Sequence, residues 1–472
     1  MVFSSLSFIF VFLPIFMVLY YIVPSRGKNL LLFLGSIVFY SLGEPYYLFL
    51  ILCSVLINYL AARGMDRFRG RPLERKTILI LVLLYNFGVL LFFKYTNFFI
   101  ENINALLRIL RINWEFYTLN LTLPLGISFY TFQIASYVVD VYRQRVKADS
   151  SFISLGAYLC MFPQLIAGPI VVYADVDTDL KERTLSVDNL DNGLKTFIIG
   201  LGYKVIIANR IGTLWNDVCA TGFESISTPL AWLGAFAYSM QLYFDFCGYS
   251  MMAIGLGEML GFDIPVNFRH PYTCRSVTDF WRRWHITLGA WFREYVYIPL
   301  GGNRKGKFCT VRNLLIVWLL TGFWHGAAWN FILWGLLIFV FQIIEKNVTL
   351  KWLTANNIIS KLVSHAYMIV YILISWTIFA ITDFSELGVY LARMFPFFGI
   401  GQTLDPTDFA RQLSTYAPLI LISIIFATSY PEKLFDKIRS KIPGIMIAFY
   451  IFWLSVYYLC IEVNNPFLYF RF

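Results

Sequence analysis

The sequence predicts an all-α, polytopic integral membrane protein, and three observations carry that prediction. Its 472 residues are 58% apolar and 19% aromatic with only 14% charged, giving a mean hydropathy of +0.65 that a water-soluble domain does not sustain. Charge-free runs of roughly 20 residues, the length that crosses a bilayer as a helix, recur along nearly the whole chain. Basic residues collect between alternate runs, as cytoplasmic loops require. A soluble globular domain, a disordered chain, a coiled coil and a collagen-like fibre are excluded together, because large apolar residues saturate the sequence and no short repeat runs through it.

The first run, Phe3 to Val23, has no basic segment before it and no small-residue cleavage site after it, so it reads as a retained span and not a signal peptide. Further spans are expected at Asn29 to Gly43, Pro45 to Ala62, Thr77 to Phe93, Phe116 to Val139, Ser225 to Phe244, Leu362 to Thr382, Gln412 to Tyr430 and Ile442 to Ile461, with a weaker one at Gly193 to Gly212. Asn313 to Ile344 is longer than one crossing needs. It predicts a strongly tilted helix or two segments meeting inside the membrane, with Gly322 and Gly326 as break points. The total is about eleven spans in one domain over 1–472. Ser150 to Ala174 is uncharged but carries Pro163, Gly168 and Pro169; a re-entrant or broken helix and a Pro-kinked span fit it equally.

Orientation follows from the loops. Arg26 and Lys28 follow the first span, and Arg63 to Lys76 holds six basic and two acidic residues after the third, whereas Gly43 to Tyr47 has no basic residue. By the positive-inside rule the N-terminus is extracytoplasmic, and Arg143, Arg145 and Lys147 return to the cytoplasm. The net charge of +10 is then explained by loops facing anionic lipid, so nucleic acid is not expected as a partner. Seven cysteines without CxxC spacing indicate neither a disulfide framework nor a metal site.

Four histidines in so apolar a chain invite assignment one by one. His270, in the polar RHPY loop, is expected to be solvated, and His365, opening a hydrophobic run, to be interfacial. His325 sits near the middle of the uncharged Asn313 to Ile344 stretch, in TGFWHGAAWNFILWG, and an ionisable group at that depth is costly enough to point to function. Trp324, Trp329 and Trp334 flank it; four residues on along a helix, Trp329 shares its face and walls it off from water. A structural histidine bonding a neighbouring helix fits the spacing equally. In SVTDFWRRWHITLGAWFREYVYIPLGG, Trp281, Trp284, His285, Leu288, Trp291, Phe292 and Tyr295 recur at helical spacing, which predicts an amphipathic helix with His285 on its apolar face and a capping box from Ser276 to Asp279. An interfacial helix is the plainer reading of that pattern. GGNRKGK, Gly301 to Lys307, has a composition suited to phosphates, although a flexible cytoplasmic loop explains it as well. Asp245, ending a span in QLYFDFCGYS, either bonds a partner helix or lines the same cavity.

At these residues the sequence resembles the membrane-bound O-acyltransferase (MBOAT) family, in its alginate O-acetyltransferase branch. The resemblance runs from MVFSSLSFIFVFLPIF through PLGISFYTFQIASYVVDVYR, FPQLIAGPI, QLYFDFCGYS, FWRRWHITLGAWFREYVYIPLGGNR and GFWHGAAWNFILWG. It is densest over about 121–345 and weakens through the spans of 362–461. Met251, Cys247 and Val172 depart from the branch pattern, which leaves the acceptor open.

The resemblance implies a helical ring around a central tunnel, with His325 of the WHG motif and His285 of the RWH motif as catalytic residues. Trp324, Trp329, Trp284 and Asp245 are expected to line the tunnel, and Arg282, Arg283, Arg304 and Lys305 to contact the phosphates of coenzyme A. It implies acetyl-CoA as the donor substrate with no tightly bound cofactor, and transfer of the acetyl group across the bacterial cytoplasmic membrane. The acceptor is then an extracytoplasmic polysaccharide, namely an exopolysaccharide, a secondary wall polymer or peptidoglycan, reached through a separate extracytoplasmic esterase-like acetyltransferase. Two alternatives stand beside this: D-alanyl transfer to teichoic acid from a carrier-protein thioester, and a non-enzymatic transporter or scramblase, for which no internal repeat was found.

Overall fold

The computed structural model describes residues 2–398, 405–461 and 468, and among them the regular secondary structure is helical apart from one isolated bridge between Phe268 and Trp284. Seven helices there are long and apolar enough to cross a membrane: Pro45–Arg67, Pro72–Ile109, Val187–Thr221, Trp329–Leu353, Ile358–Ala380, Asp408–Phe426 and Ile442–Ile461. Their outward faces carry exposed large apolar residues, such as Met446, Phe449 and Tyr450 at 65 to 66%. In water such faces would aggregate, whereas in lipid tails they are solvated. The chain is a multi-pass membrane protein. It forms two compact units, Met1–Phe197 with Met252–Pro265, and Ile198–Met251 with Val266–Phe472.

In the first unit lie α1 (Phe8–Ile22), α2 (Lys28–Ser41), α3 (Pro45–Arg67), α4 (Pro72–Ile109), α5 (Ile127–Tyr142), α6 (Phe152–Cys160) and α7 (Tyr173–Lys181). α2, with 14 residues, spans only about 21 Å and is shorter than a full crossing. Buried polar side chains join these helices. The Asn58 and Asn86 amides exchange hydrogen bonds of 2.9 and 2.8 Å between α3 and α4, and the Arg75 guanidinium donates to the Tyr142 carbonyl at 2.7 Å, satisfying the end of α5. Ser150 to Ala174 proves to be broken: α6 stops at Cys160, a single turn follows at Phe162–Leu165, and residues 155–171 are buried throughout. That burial is what makes irregular backbone tolerable in this setting.

Two expected spans differ. The Thr77 to Phe93 helix runs on to Ile109, and Phe116 to Val139 is helical only from Ile127. Residues 112–124 form neither helix nor strand, and α4 supplies part of their backbone with partners. Asn104 Nδ2 donates to Phe116 O while Phe116 N–H donates to Asn104 Oδ1, both at 2.8 Å. Asn97 repeats the arrangement with Leu119 at 2.8 and 2.9 Å. The helix then starts after Gly126, whose φ of +74° and 2.3 Å clearance of a built Cβ from Leu165 O admit only glycine.

α8 (Val187–Thr221) and α9 (Thr228–Met259) belong in part to each unit. The second unit adds α10 (Val277–Arg283), α11 (Ile286–Phe292), α12 (Gly306–His325), α13 (Trp329–Ile344), α14 (Ile358–Ala380), α15 (Phe384–Met394), α16 (Asp408–Phe426), α17 (Tyr430–Asp436) and α18 (Ile442–Ile461). The long Asn313 to Ile344 stretch is two helices meeting at Gly326, and Gly322 lies inside α12 as a contact point. A Cβ on Gly322 would stand 2.2 Å from Phe331 O, and one on Gly335 2.3 Å from Trp318 O. The backbones of α12 and α13 therefore touch through two glycines, a close approach that small residues permit in lipid.

Candidate functional site

His325 is the last residue of α12, and the chain leaves it through an extended Gly326 into α13. It is 5% exposed. Its ring meets Trp324, Trp334 and Phe379 edge-on, with centroids 5.0, 5.1 and 5.3 Å away. Two polar side chains fix that wall: Asn330 Nδ2 donates to Ile378 O and Phe379 O at 3.1 Å each, and Trp334 Nε1 donates to Ser375 Oγ at 3.0 Å. The helix breaks before Trp329, so the four-residue spacing no longer sets its direction, and that residue is 53% exposed.

His285 is 2% exposed and breaks the helix predicted around it. α10 ends at Arg283, α11 begins at Ile286, and His285 takes φ of +47° between them. A non-glycine residue in the left-handed region is held there by its surroundings at a cost of about 1–3 kcal/mol. Here the surroundings are a short antiparallel pairing: Arg269 N–H donates to Arg283 O and Ile286 N–H to Asn267 O, both at 3.0 Å. The continuous periodicity from Trp281 to Tyr295 could not reveal this, because the pairing segment lies elsewhere in the chain. His285 Nδ1 stands 3.1 Å from Asn267 Oδ1. Its ring packs on Phe246 at 4.8 Å and lies 6.1 Å from Trp324. Lying outside the spanning helices, it has its pKa pushed down by burial, so the ring is neutral. Trp324 thus adjoins both imidazoles.

The start of α10 is pinned from α13's end. The buried Glu345 carboxylate accepts from Val277 N–H at 2.6 Å, Thr278 N–H at 2.9 Å and Thr278 Oγ1 at 2.8 Å, while Ser276 Oγ accepts from Asp279 N–H at 3.0 Å. Three orphan donors are satisfied and the helix dipole meets a negative charge. The expected Ser276 cap is present; the Asp279 side chain turns to Arg283 at 2.7 Å.

Trp284 is buried in a stack with Phe280 at 5.6 Å and Trp376 at 4.7 Å, and Trp376 continues to Trp334 at 5.9 Å, so one aromatic wall joins the two histidine segments. Asp245 is buried in an ion pair with Lys204 at 2.5 Å and also accepts from Leu468 N–H at 2.8 Å. Lys204, in a span whose other residues are mostly apolar, carried a signal that sequence reasoning passed over. Arg282, Arg304 and Lys305 are exposed. Gly301, Gly302 and Gly306 have φ of +104°, +55° and +89°, and Asn313 Nδ2 anchors the loop by donating to Leu300 O and Gly302 O at 3.2 and 3.0 Å. His365 is exposed. His270 is not solvated: its Nε2 pairs with Glu432 at 2.6 Å and its side chain is 22% exposed.

The family model of the membrane-bound O-acyltransferase family matches residues 142–382, which contain both buried histidines. A probable alginate O-acetylase of Azotobacter vinelandii is 37% identical over 92% of this chain and 86% of its own length. A peptidoglycan O-acetyltransferase of Helicobacter pylori is 40% identical over 71% of this chain and 69% of its own. The teichoic acid D-alanyltransferase of Bacillus subtilis is 32% identical over 50% of this chain and 64% of its own. The chain belongs to the membrane-bound O-acyltransferase family, in its alginate O-acetylase branch, and is a membrane O-acetyltransferase.

Proposed function

We propose that this enzyme takes an acetyl group from acetyl-CoA at the cytoplasmic face and passes it across the bacterial cytoplasmic membrane for O-acetylation of an extracytoplasmic polysaccharide. The acceptor is an exopolysaccharide, a secondary wall polymer or peptidoglycan. The observation that carries this reading is the pair of buried imidazoles flanking Trp324, one ending a helix broken inside an apolar stretch and one in a strained backbone position. Relatives named for alginate and peptidoglycan O-acetylation, alignable over most of the chain, support the acceptor class.

In this scheme the acceptor hydroxyl attacks the thioester carbonyl carbon while His325 takes its proton. Collapse of the tetrahedral intermediate breaks the C–S bond, and the proton returns from the imidazolium to the departing thiolate. The carbonyl end of α12, where His325 sits, is the negative end of the helix dipole and favours the transient cation by about 0.3–1 kcal/mol. His285 orients the reacting groups, and the aromatic wall keeps the site dry so that charge interactions act strongly. Exposed Arg282, Arg304 and Lys305 are the phosphate contacts; Arg283, engaged by Asp279, contributes less. A separate extracytoplasmic esterase-like acetyltransferase completes delivery to the polymer, and the N-terminus lies outside.

The test is polymer O-acetylation in cells carrying His325→Gln, together with thioester consumption by the purified protein. Loss of both supports the scheme, and retained decoration of the polymer refutes it. A labelled acyl-enzyme trapped in a single turnover would replace direct transfer by an acyl-histidine route. The D-alanyltransferase relative favours a second reading, D-alanyl transfer from a carrier-protein thioester; labelled D-alanine appearing in wall polymer would select it.

A further inference from the structure

Asn267 is fully buried and at the centre of a hydrogen-bond cluster in the second unit. Its Oδ1 receives the Thr287 backbone N–H at 3.3 Å and the Thr287 hydroxyl at 3.0 Å, and its Nδ2 donates to Ser250 Oγ at 3.1 Å. A backbone N–H can only donate, so the side-chain atom facing Thr287 is the oxygen, and a flipped amide would set donor against donor. The same Oδ1 lies 3.1 Å from His285 Nδ1. Between an acceptor oxygen and a neutral imidazole, the hydrogen belongs to the ring nitrogen.

We infer that Asn267 is a positioning residue that fixes His285 as the Nδ1–H tautomer, making Nε2 the accepting nitrogen of the ring. The consequence is chemical. A neutral His285 in this state cannot stabilise a developing oxyanion through Nε2, since that nitrogen carries a lone pair and no hydrogen; it can orient an attacking hydroxyl by accepting its hydrogen. Backbone and side chain cooperate in this, because the Ile286 N–H to Asn267 O bond that holds His285 at positive φ comes from the same asparagine. The role in orienting the hydroxyl rests on the site proposed above, whereas the tautomer itself does not.

The experiment is solid-state NMR on the full chain in lipid bilayers with isotope-labelled histidine, of which there are four. Nδ1 is bonded to Cγ and Nε2 to Cδ2, so correlating the hydrogen-bearing nitrogen with one or the other carbon identifies the tautomer. The His285 signal is assigned by its loss in His285→Gln or, should that variant not fold, by through-space transfer from labelled asparagine. A hydrogen-bearing nitrogen correlated with Cγ is expected; correlation with Cδ2 overturns the inference. Asn267→Ala should lower kcat by roughly 10²-fold with little change in KM, as loss of an oriented acid–base group does. Asn267→Asp keeps the acceptor and should restore much of the activity, with the acidic limb of its pH profile moved upward by the added negative charge. Equal loss in both variants with unchanged profiles would reduce Asn267 to a structural role. If the Nδ1–H form is found while His325→Gln remains active, the tautomer stands and the reaction scheme falls.

Discussion

Replacing Gly335 by alanine tests whether the contact between α12 and α13 sets the position of His325. The new Cβ would lie 2.3 Å from Trp318 O. Carbon and carbonyl oxygen settle no closer than about 3.3 Å, so the helices must part by roughly 1 Å. Overpacking of this kind costs about 1–3 kcal/mol, and a 1 Å displacement of a catalytic group costs roughly 10²-fold in rate. Thermal unfolding of the purified protein and thioester-dependent acetyl transfer are measured side by side. Gly88→Ala is the control, because a Cβ there meets nothing within 4 Å and a helical alanine should be neutral or stabilising by up to about 1 kcal/mol. A Gly335→Ala protein with wild-type melting and wild-type activity would refute the reasoning.

Trp324→Ala should depress acetyl transfer while Trp329→Ala stays within about two-fold of wild type, since the first is buried beside both imidazoles and the second is half exposed; equal losses would contradict the placement of the site. Lys204→Met alone should destabilise the fold by about 3–5 kcal/mol by stranding the Asp245 carboxylate, and the double change with Asp245→Leu should recover most of that loss in a thermal melt. At the surface, the His270 hydrogen bond holds the Glu432 carboxyl below its ordinary range. A depressed folded-state pKa stabilises above the unfolded value and is lost as pH falls through the lowered one. Glu432→Gln should therefore melt slightly lower than wild type near neutral pH, by less than about 1 kcal/mol given its exposure, and the gap should close in acid; a gap that persists there would reject the pairing.

The fold class, the burial of His325 and the break inside Asn313 to Ile344, one of two expected forms of that stretch, were legible because each depends on composition or on residues close in sequence. Gly326 after an uncharged run is a local signal, and a histidine at that depth is another. The four-residue spacing of Trp329 from His325 does not set its direction, because a break of three residues resets which face every later side chain occupies. The helix through His285 was misread for the converse reason. Its apolar spacing continues unbroken, and what interrupts it is Asn267 and Arg269, paired from outside the segment. Lys204 with Asp245, and Glu345 with the start of α10, are also long-range pairings that no window of adjacent residues contains.

The non-helical segment beside α4 shows how a helix can act as a ruler. Asn97 and Asn104 are seven residues apart, a rise of about 10.5 Å, and the backbone sites they grip, Phe116 and Leu119, are three residues apart, a reach of up to about 10 Å. Side chains at 117 and 118 are consequently free to vary, whereas inserting or deleting a single residue between the two grips would put them out of step and release the segment.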